Sequence, residues 1–298
     1  MKLLVAMQPP RMPPMRMQLQ FVFTLVSYFY MGLVPCLLMS RQYIKCMIEG
    51  EACPPNNVWS PQYKKSMSPH DAHATDLGYI IHRFTNFHAS IRSKLQTDSD
   101  TILREALLLD TMLEEWELQL PQSWLYSLER HTEETAVMYK GVSHKYCDFW
   151  TGRMYNHYRS CRILVNELLV TQLGPFSPDD IAQRSKSLDI ISRQAADVCS
   201  SLSIQFHKPT LLEETKQTGV PALTGCFLPL FHLAVAGSSM GVDDEMHNWV
   251  ISMLELIGHD KGVAQALSMI PGTRLRRERW KLFTHGPAHC SLLSGFQM

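Results

Sequence analysis

The sharpest enzyme-like match in the chain is Gly237-Ser238-Ser239-Met240-Gly241, which fits G-x-S-x-G and follows the apolar run LFHLAVA. In a nucleophile elbow the central serine sits on a strained strand-to-helix turn that exposes its hydroxyl beside an oxyanion hole. That chemistry needs a parallel sheet. The flanking residues read as helix and no βαβ alternation is present. The pentapeptide is therefore expected to be a small-residue linker between helices, with a serine hydrolase acting through Ser239 as an alternative. His70 and His73, with Asp71 between them and His82 and His88 beyond, could be drawn as a metal site. The first pair lies in an expected loop, and no Glu or Cys completes a set at a diagnostic spacing. They read as surface histidines. No H-E-x-x-H, G-x-G-x-x-G or G-x4-G-K-[ST] occurs. No catalytic, cofactor-binding or metal-ligating residue is assigned, no cofactor is expected, and the chain is not expected to be an enzyme.

Charged groups are the next candidates. Glu114, Glu115 and Glu117 read as a solvated helix face. Arg153, Arg159 and Arg162 stand among apolar residues and are expected to pair with acids inside or at the rim of a bundle, or to bind a ligand. The run RLRRERWK holds Arg274, Arg276, Arg277, Arg279 and Lys281. It could serve nuclear import or contact phosphate, or simply complement a helix end. The formal net charge is zero, with 28 basic and 28 acidic residues, which suits a polyanion platform poorly. The eight cysteines, Cys36, Cys46, Cys53, Cys147, Cys161, Cys199, Cys226 and Cys290, include no C-x2-C knuckle. Several fall on apolar helix faces, where cysteine behaves as a small hydrophobe. A reducing intracellular compartment fits that usage.

The elements that would position these groups are helical. Tyr146–Leu173 contains no proline. Cys147, Trp150, Met154, Tyr158, Cys161, Val165 and Leu168 recur in it at steps of three and four, a helical stripe. Phe149, His157, Leu164 and Leu169 widen the stripe. At 1.5 Å per residue this helix would reach roughly 40 Å and needs partners on more than one side. The expected fold is all-α, an irregular multi-helix bundle around one long central helix at about 146–173. Residues 1–16 are Pro/Met-rich low-complexity sequence. Met17–Ser40 carries no charge. It reads as a buried helix broken at Pro35 or, alternatively, as a membrane segment. A helix then runs to Glu49 with Gly50 as its stop. Residues 51–73 are expected as loop, with Trp59 as an anchor. Ala74–Leu95 reads helical. Asp98 or Asp100 caps a helix with Ile102, Ala106, Leu109, Leu113 and Trp116 on one face, ending before Pro121. The structure of 129–140 is left open.

Beyond the central helix, Ser177 before Pro178 marks a helix start. Ile181, Leu188, Ile191, Ala195, Val198 and Leu202 should form its apolar face. Residues 207–221 are expected as loop, and Leu223–Ala236 as a helix interrupted at Pro229. Asp243 or Asp244 caps a last long helix, with Trp249, Met253, Leu256, Val263, Ala266 and Leu267 inward, ended by Pro271-Gly272.

The central stretch also resembles a known family. Trp150, Asn156, Tyr158-Arg159, Arg162-Ile163-Leu164 and Asn166-Glu167-Leu168 resemble the central helix in the C-terminal regulatory region (middle homology, or fungal-specific transcription factor, region) of fungal zinc binuclear-cluster transcription factors. Glu105–Trp124 is similar to the family's acidic helix ending in Leu-Pro-x-x-Trp. Gly225–Phe231 is similar to its Pro-Leu-aromatic segment, with Leu228 where a Trp is usual. Asn248–Met269 is similar to its closing helix, although Pro271-Gly272 falls where the family often continues. The resemblance covers roughly residues 41–270. It implies an N-terminal segment 1–40, a helical regulatory domain 41–270 and a basic flexible tail 271–298. It also implies a nuclear role in transcriptional regulation, often of a metabolic or secondary-metabolite gene cluster. The family binds DNA through a C-x2-C-x6-C repeat holding two zinc ions, and these residues contain no such repeat. Action through protein contacts is the expectation, with a DNA-binding factor or a second copy as partner and no direct DNA binding. The alternatives are a membrane-anchored helical protein using residues 17–40 and the Ser239 hydrolase.

Overall fold

A computed structural model of the chain describes residues 34–54, 69–132, 137–174, 177–202 and 227–285. Of these residues 75% are helical and 4% lie in strands, so the fold is all-α as expected. The helices are α1 (Val34–Glu49), α2 (Pro69–Arg92), α3 (Ser99–Leu118), α4 (Phe149–Gln172), α5 (Pro178–Ser200), α6 (Leu230–Ser238), α7 (Asp244–Asp260) and α8 (Ala264–His285). Between α3 and α4 stands one antiparallel hairpin, β1 (Ser127–Arg130) and β2 (Val142–Lys145), in which Leu128 pairs with His144.

α4 is the centre. Asp148 caps it by accepting from the Thr151 N–H at 2.6 Å, so Tyr146–Asp148 lie outside the helix. Cys147 is exposed rather than part of the packing stripe. From Thr151 to Val170 every residue except Leu164 and Leu168 is buried. A helix enclosed on all sides must be covered by several neighbours. α2, α3, α5 and α6 pack directly on α4. The core they share includes Phe84, Leu113, Trp124, Tyr158, Val165, Ile191, Leu233 and Leu254. Full burial of such side chains contributes about 1.5–3 kcal/mol each.

Several local expectations hold. α1 stops at Gly50, whose φ of +60° is the left-handed cap conformation. Asp98 caps α3 by accepting from Thr101, and the expected face of α3 is buried. Ser177 caps α5, with Pro178 in its first turn. Of residues 237–241, Gly237 and Ser238 close α6 and only 239–241 lie between it and α7.

Other expectations are corrected. α1 is described from Val34 and runs across the boundary expected at residue 40; the break expected at Pro35 borders residues that lie outside the described ones. α2 starts at Pro69, so His70 and His73 belong to a helix and not to a loop. The interruption expected at Pro229 is present, since Phe227 is helical, Leu228-Pro229 form a turn and α6 starts at Leu230; residues 223–226 lie outside the described residues. On α5 burial begins at Ser187, and Ile181 is exposed. The last long helix is two helices. Gly262, with φ +70°, turns the chain between α7 and α8. α8 then passes through Pro271-Gly272 to His285. A proline inside a helix costs about 3 kcal/mol. Here Val263, Ala266, Ile270, Thr273, Arg276, Arg277 and Trp280 are buried on both sides of it, and that continuous stripe offsets the loss. Residues 271–285, expected in a flexible tail, are therefore helix, packed on the core as far as Phe283. Residues 17–33, Trp59 and residues 207–221 lie outside the described residues. Among the described residues no helix is long and apolar enough to cross a membrane.

Candidate functional site

The polar residues of α4 point inward, and three of the clusters they build tie the bundle together. The first is centred on Arg162, which is 1% exposed. Its Nε donates to Asp110 Oδ1 at 3.1 Å, its Nη2 to Glu114 at 3.1 Å, and its Nη1 to Glu117 at 3.4 Å and the Tyr158 hydroxyl at 2.6 Å. Tyr158 donates in turn to Glu117 at 2.6 Å. Asn166 donates to Asp110 at 2.7 Å. Burial works against the Arg162 charge, but Tyr158 and Asp110 more than offset it and lift the guanidinium above its ordinary value. Glu114 and Glu117 thus sit half-exposed at the rim of this cluster, bonded to Arg162, while Glu115 is fully on the exposed face expected for all three.

The second cluster surrounds Arg159 with three tyrosine rings, Tyr126, Tyr155 and Tyr146, at 5.1, 5.2 and 5.8 Å. Its Nη1 donates to the Tyr146 hydroxyl at 2.6 Å and to Asn156 Oδ1 at 3.1 Å. Its Nη2 lies 3.2 Å from His144 Nδ1. A guanidinium can only donate, so Nδ1 is the acceptor and the His144 proton sits on Nε2. That nitrogen faces Asp197 at 3.6 Å. Burial, reinforced by the Arg159 charge, lowers the His144 pKa to about 3. The hairpin is what brings His144 here, and Tyr126 stacks on it at 4.4 Å. Ser201 completes the cluster by donating to Asn156 at 3.0 Å.

The third cluster joins α4 to the chain's last helix. Arg276 of α8 forms a buried ion pair with Glu167 and donates to Ser238 Oγ at 2.7 Å. Glu167 also accepts from the Met240 N–H at 3.0 Å. Burial raises the Glu167 pKa, and Arg276 holds part of that rise back. Arg277 donates to the Ser239 carbonyl at 3.3 Å and to Asp244 at 3.3 Å. The 237–241 turn is thereby gripped from two sides. Ser239 is fully buried and its hydroxyl donates to the Val235 carbonyl. It follows a helix, not a strand, so the elbow geometry is not built. The RLRRERWK run is not displayed as one basic patch, because Arg276 and Arg277 face the core and Lys281 is bonded to Asp244 at 2.9 Å.

Arg153 differs from its two neighbours on α4. It is buried, yet no acid pairs with it among the described residues, and its guanidinium rests 5.8 Å from the Trp150 ring. Of the histidines, His73 contacts the Trp124 ring. His82 lies 3.3 Å from the Asn86 amide, and His88 stacks on Phe84. Among the described residues no three His, Cys, Asp or Glu side chains form a metal-sized group. Cys161 and Cys199 are fully buried and behave as small hydrophobes, their thiols pushed up by burial.

Asp110, His144, Tyr146, Asp197 and His232 were not singled out from the sequence. Asp110 did leave a signal, since it is an acid one turn from Ala106 and Leu113 on the apolar face of α3. His144 left none, because its role depends on the hairpin. No protein family, curated protein or solved structure matches this chain.

Proposed function

We propose that this chain is a transcription-regulator-like protein of fungal type, nuclear, and acting through protein contacts rather than by reading DNA itself. The reading rests on the resemblance of its helices to the regulatory region of zinc-cluster factors. One observation carries it further. The polar residues of the central motif, Asn156, Arg159, Arg162 and Glu167, are all buried, and they bond to α3, to Ser201 at the end of α5, to α8 and to the segment around the hairpin. Such a pattern belongs to a scaffold whose polar motif specifies packing. With these arginines turned inward and a net charge of zero, the described body has little to offer a phosphate backbone. Its partner would be a DNA-binding factor or a second copy of the chain, and its output the expression of a metabolic gene cluster.

The test tethers the full chain to a heterologous DNA-binding domain in a fungal reporter strain. Reporter output changes, the untethered protein accumulates in nuclei, and the purified chain shows no sequence-specific DNA binding in a mobility-shift assay. A tethered, stably expressed fusion that leaves the reporter unchanged would sink the proposal.

A further inference from the structure

Trp150, Arg153, His157 and Ser160 follow one another on α4 at steps of three, four and three, which places them along one stripe of the helix. His232 of α6 closes over that stripe. Its Nδ1 is 2.7 Å from the Ser160 hydroxyl, and its ring meets that of His157 edge-on at 4.8 Å. Three buried polar atoms in this cluster have no hydrogen-bond partner among the described residues: Arg153 Nη2, Trp150 Nε1 and His232 Nε2. Arg153 is 5% exposed and His232 1%. An ionised group buried without a counter-charge is among the costliest arrangements in a protein interior. Arg159 and Arg162, on the same helix, are each ringed by acceptors. Arg153 is not.

The missing partner must be an acceptor and an anion. Burial lowers the Arg153 pKa to about 10, which leaves it charged at neutral pH. His232, at about 3, and His157, also well below its ordinary value, are neutral there. The local charge is a single positive one. A carboxylate matches it, and its two oxygens fit the fork of a guanidinium. A phosphate dianion would leave the site with an excess negative charge. The Trp150 ring beside the guanidinium supplies an apolar surface for an organic body.

We propose that Trp150, Arg153 and His232 form a binding site for a small organic monocarboxylate, anchored on the Arg153 guanidinium. The site stands independently of the regulatory reading.

The test uses the full chain, with sodium benzoate and sodium acetate as probes and sodium phosphate and sodium chloride at matched ionic strength as controls. Benzoate raises the thermal midpoint saturably, acetate does so more weakly, and neither control does. A fluorinated benzoate followed by its fluorine NMR line reports binding directly. Arg153→Met weakens it by about 10- to 100-fold, the scale of a hydrogen bond to a charged group. Trp150→Phe keeps an aromatic face, removes the N–H and weakens binding by about two- to tenfold; it serves if Arg153→Met does not fold. Absence of any benzoate response overturns the proposal. So does an equal response to phosphate, or benzoate binding that survives both substitutions.

Discussion

Removing Arg276 should reveal how much the last helix contributes to the centre of the fold. Arg276→Met keeps most of the side chain's packing volume but leaves Glu167 buried without a counter-charge, with the neutral Met240 N–H and Trp280 side chain as its donors. Breaking a buried pair from one side costs about 3–5 kcal/mol. Two contributions make up that figure. Loss of the Arg276 bonds to Ser238 and Val235 accounts for about 1–2 kcal/mol and does not depend on pH. The remainder is the stranded carboxylate, and it does depend on pH. Burial already raises the folded-state pKa of Glu167, and Arg276 lowers it again; without Arg276 it rises further. A carboxyl with a raised folded pKa binds more protons folded than unfolded, so its contribution to stability is largest below the unfolded value of about 4.3 and is lost as pH rises through the folded value. Each further unit of elevation adds about 1.4 kcal/mol to the penalty at neutral pH. Urea unfolding followed by circular dichroism should therefore show the variant about 3–5 kcal/mol less stable than the parent at pH 7.5, with the gap narrowing to about 1–2 kcal/mol near pH 5. In a Glu167→Gln background the same substitution should cost less and show no such narrowing. A loss below about 1 kcal/mol at pH 7.5, or one identical at both pH values, would refute the reasoning.

Two other outcomes are expected. A Cβ on Gly237 would stand 2.6 Å from Val250 of α7, so Gly237→Ala should destabilise by about 1–3 kcal/mol and Val250→Ala should recover part of the loss in the double variant, as read by thermal unfolding. His144, His157 and His232 are all held neutral by burial, so their imidazole NMR signals should not titrate between pH 8 and 5; because depressed histidines bind fewer protons folded than unfolded, they lower stability as pH falls below about 6.5, and a rise in stability over that range in a Glu167→Gln background would contradict the assignment.

Local chemistry was readable wherever it acts over a few residues. The caps at Asp98 and Ser177, the stop at Gly50 and the helical period of α4 all follow from side-chain hydrogen bonds and spacing. What could not be read depends on contacts far apart in the chain. Pro271 looks like a terminator until the buried stripe from Val263 to Trp280 is seen continuing past it. Arg276 and Arg277 look like a surface signal because the acids that pair with them, Glu167 and Asp244, lie far off in the chain. Glu114 and Glu117 look free because Arg162 is distant in the chain, yet both bond to it at the rim of the bundle. The β1–β2 hairpin is short and half-exposed, with too little alternation to register as strands, and without it neither His144 nor the tyrosine box around Arg159 can be foreseen. For Arg153 the residue was visible but its isolation was not, since an absence of partners is a three-dimensional fact.

The pairing of Glu167 with Arg276 spans 109 residues of chain, and that distance has a consequence for synthesis. Translation proceeds at about 5–20 residues per second, so the carboxylate of the central helix exists for several seconds before its counter-charge has been made. During that interval α4 cannot settle fully into its apolar surroundings with Glu167 ionised. Closure of the centre must wait for α8, and a nascent chain halted before Arg276 holds an open core in which Glu167 is either protonated or still wet.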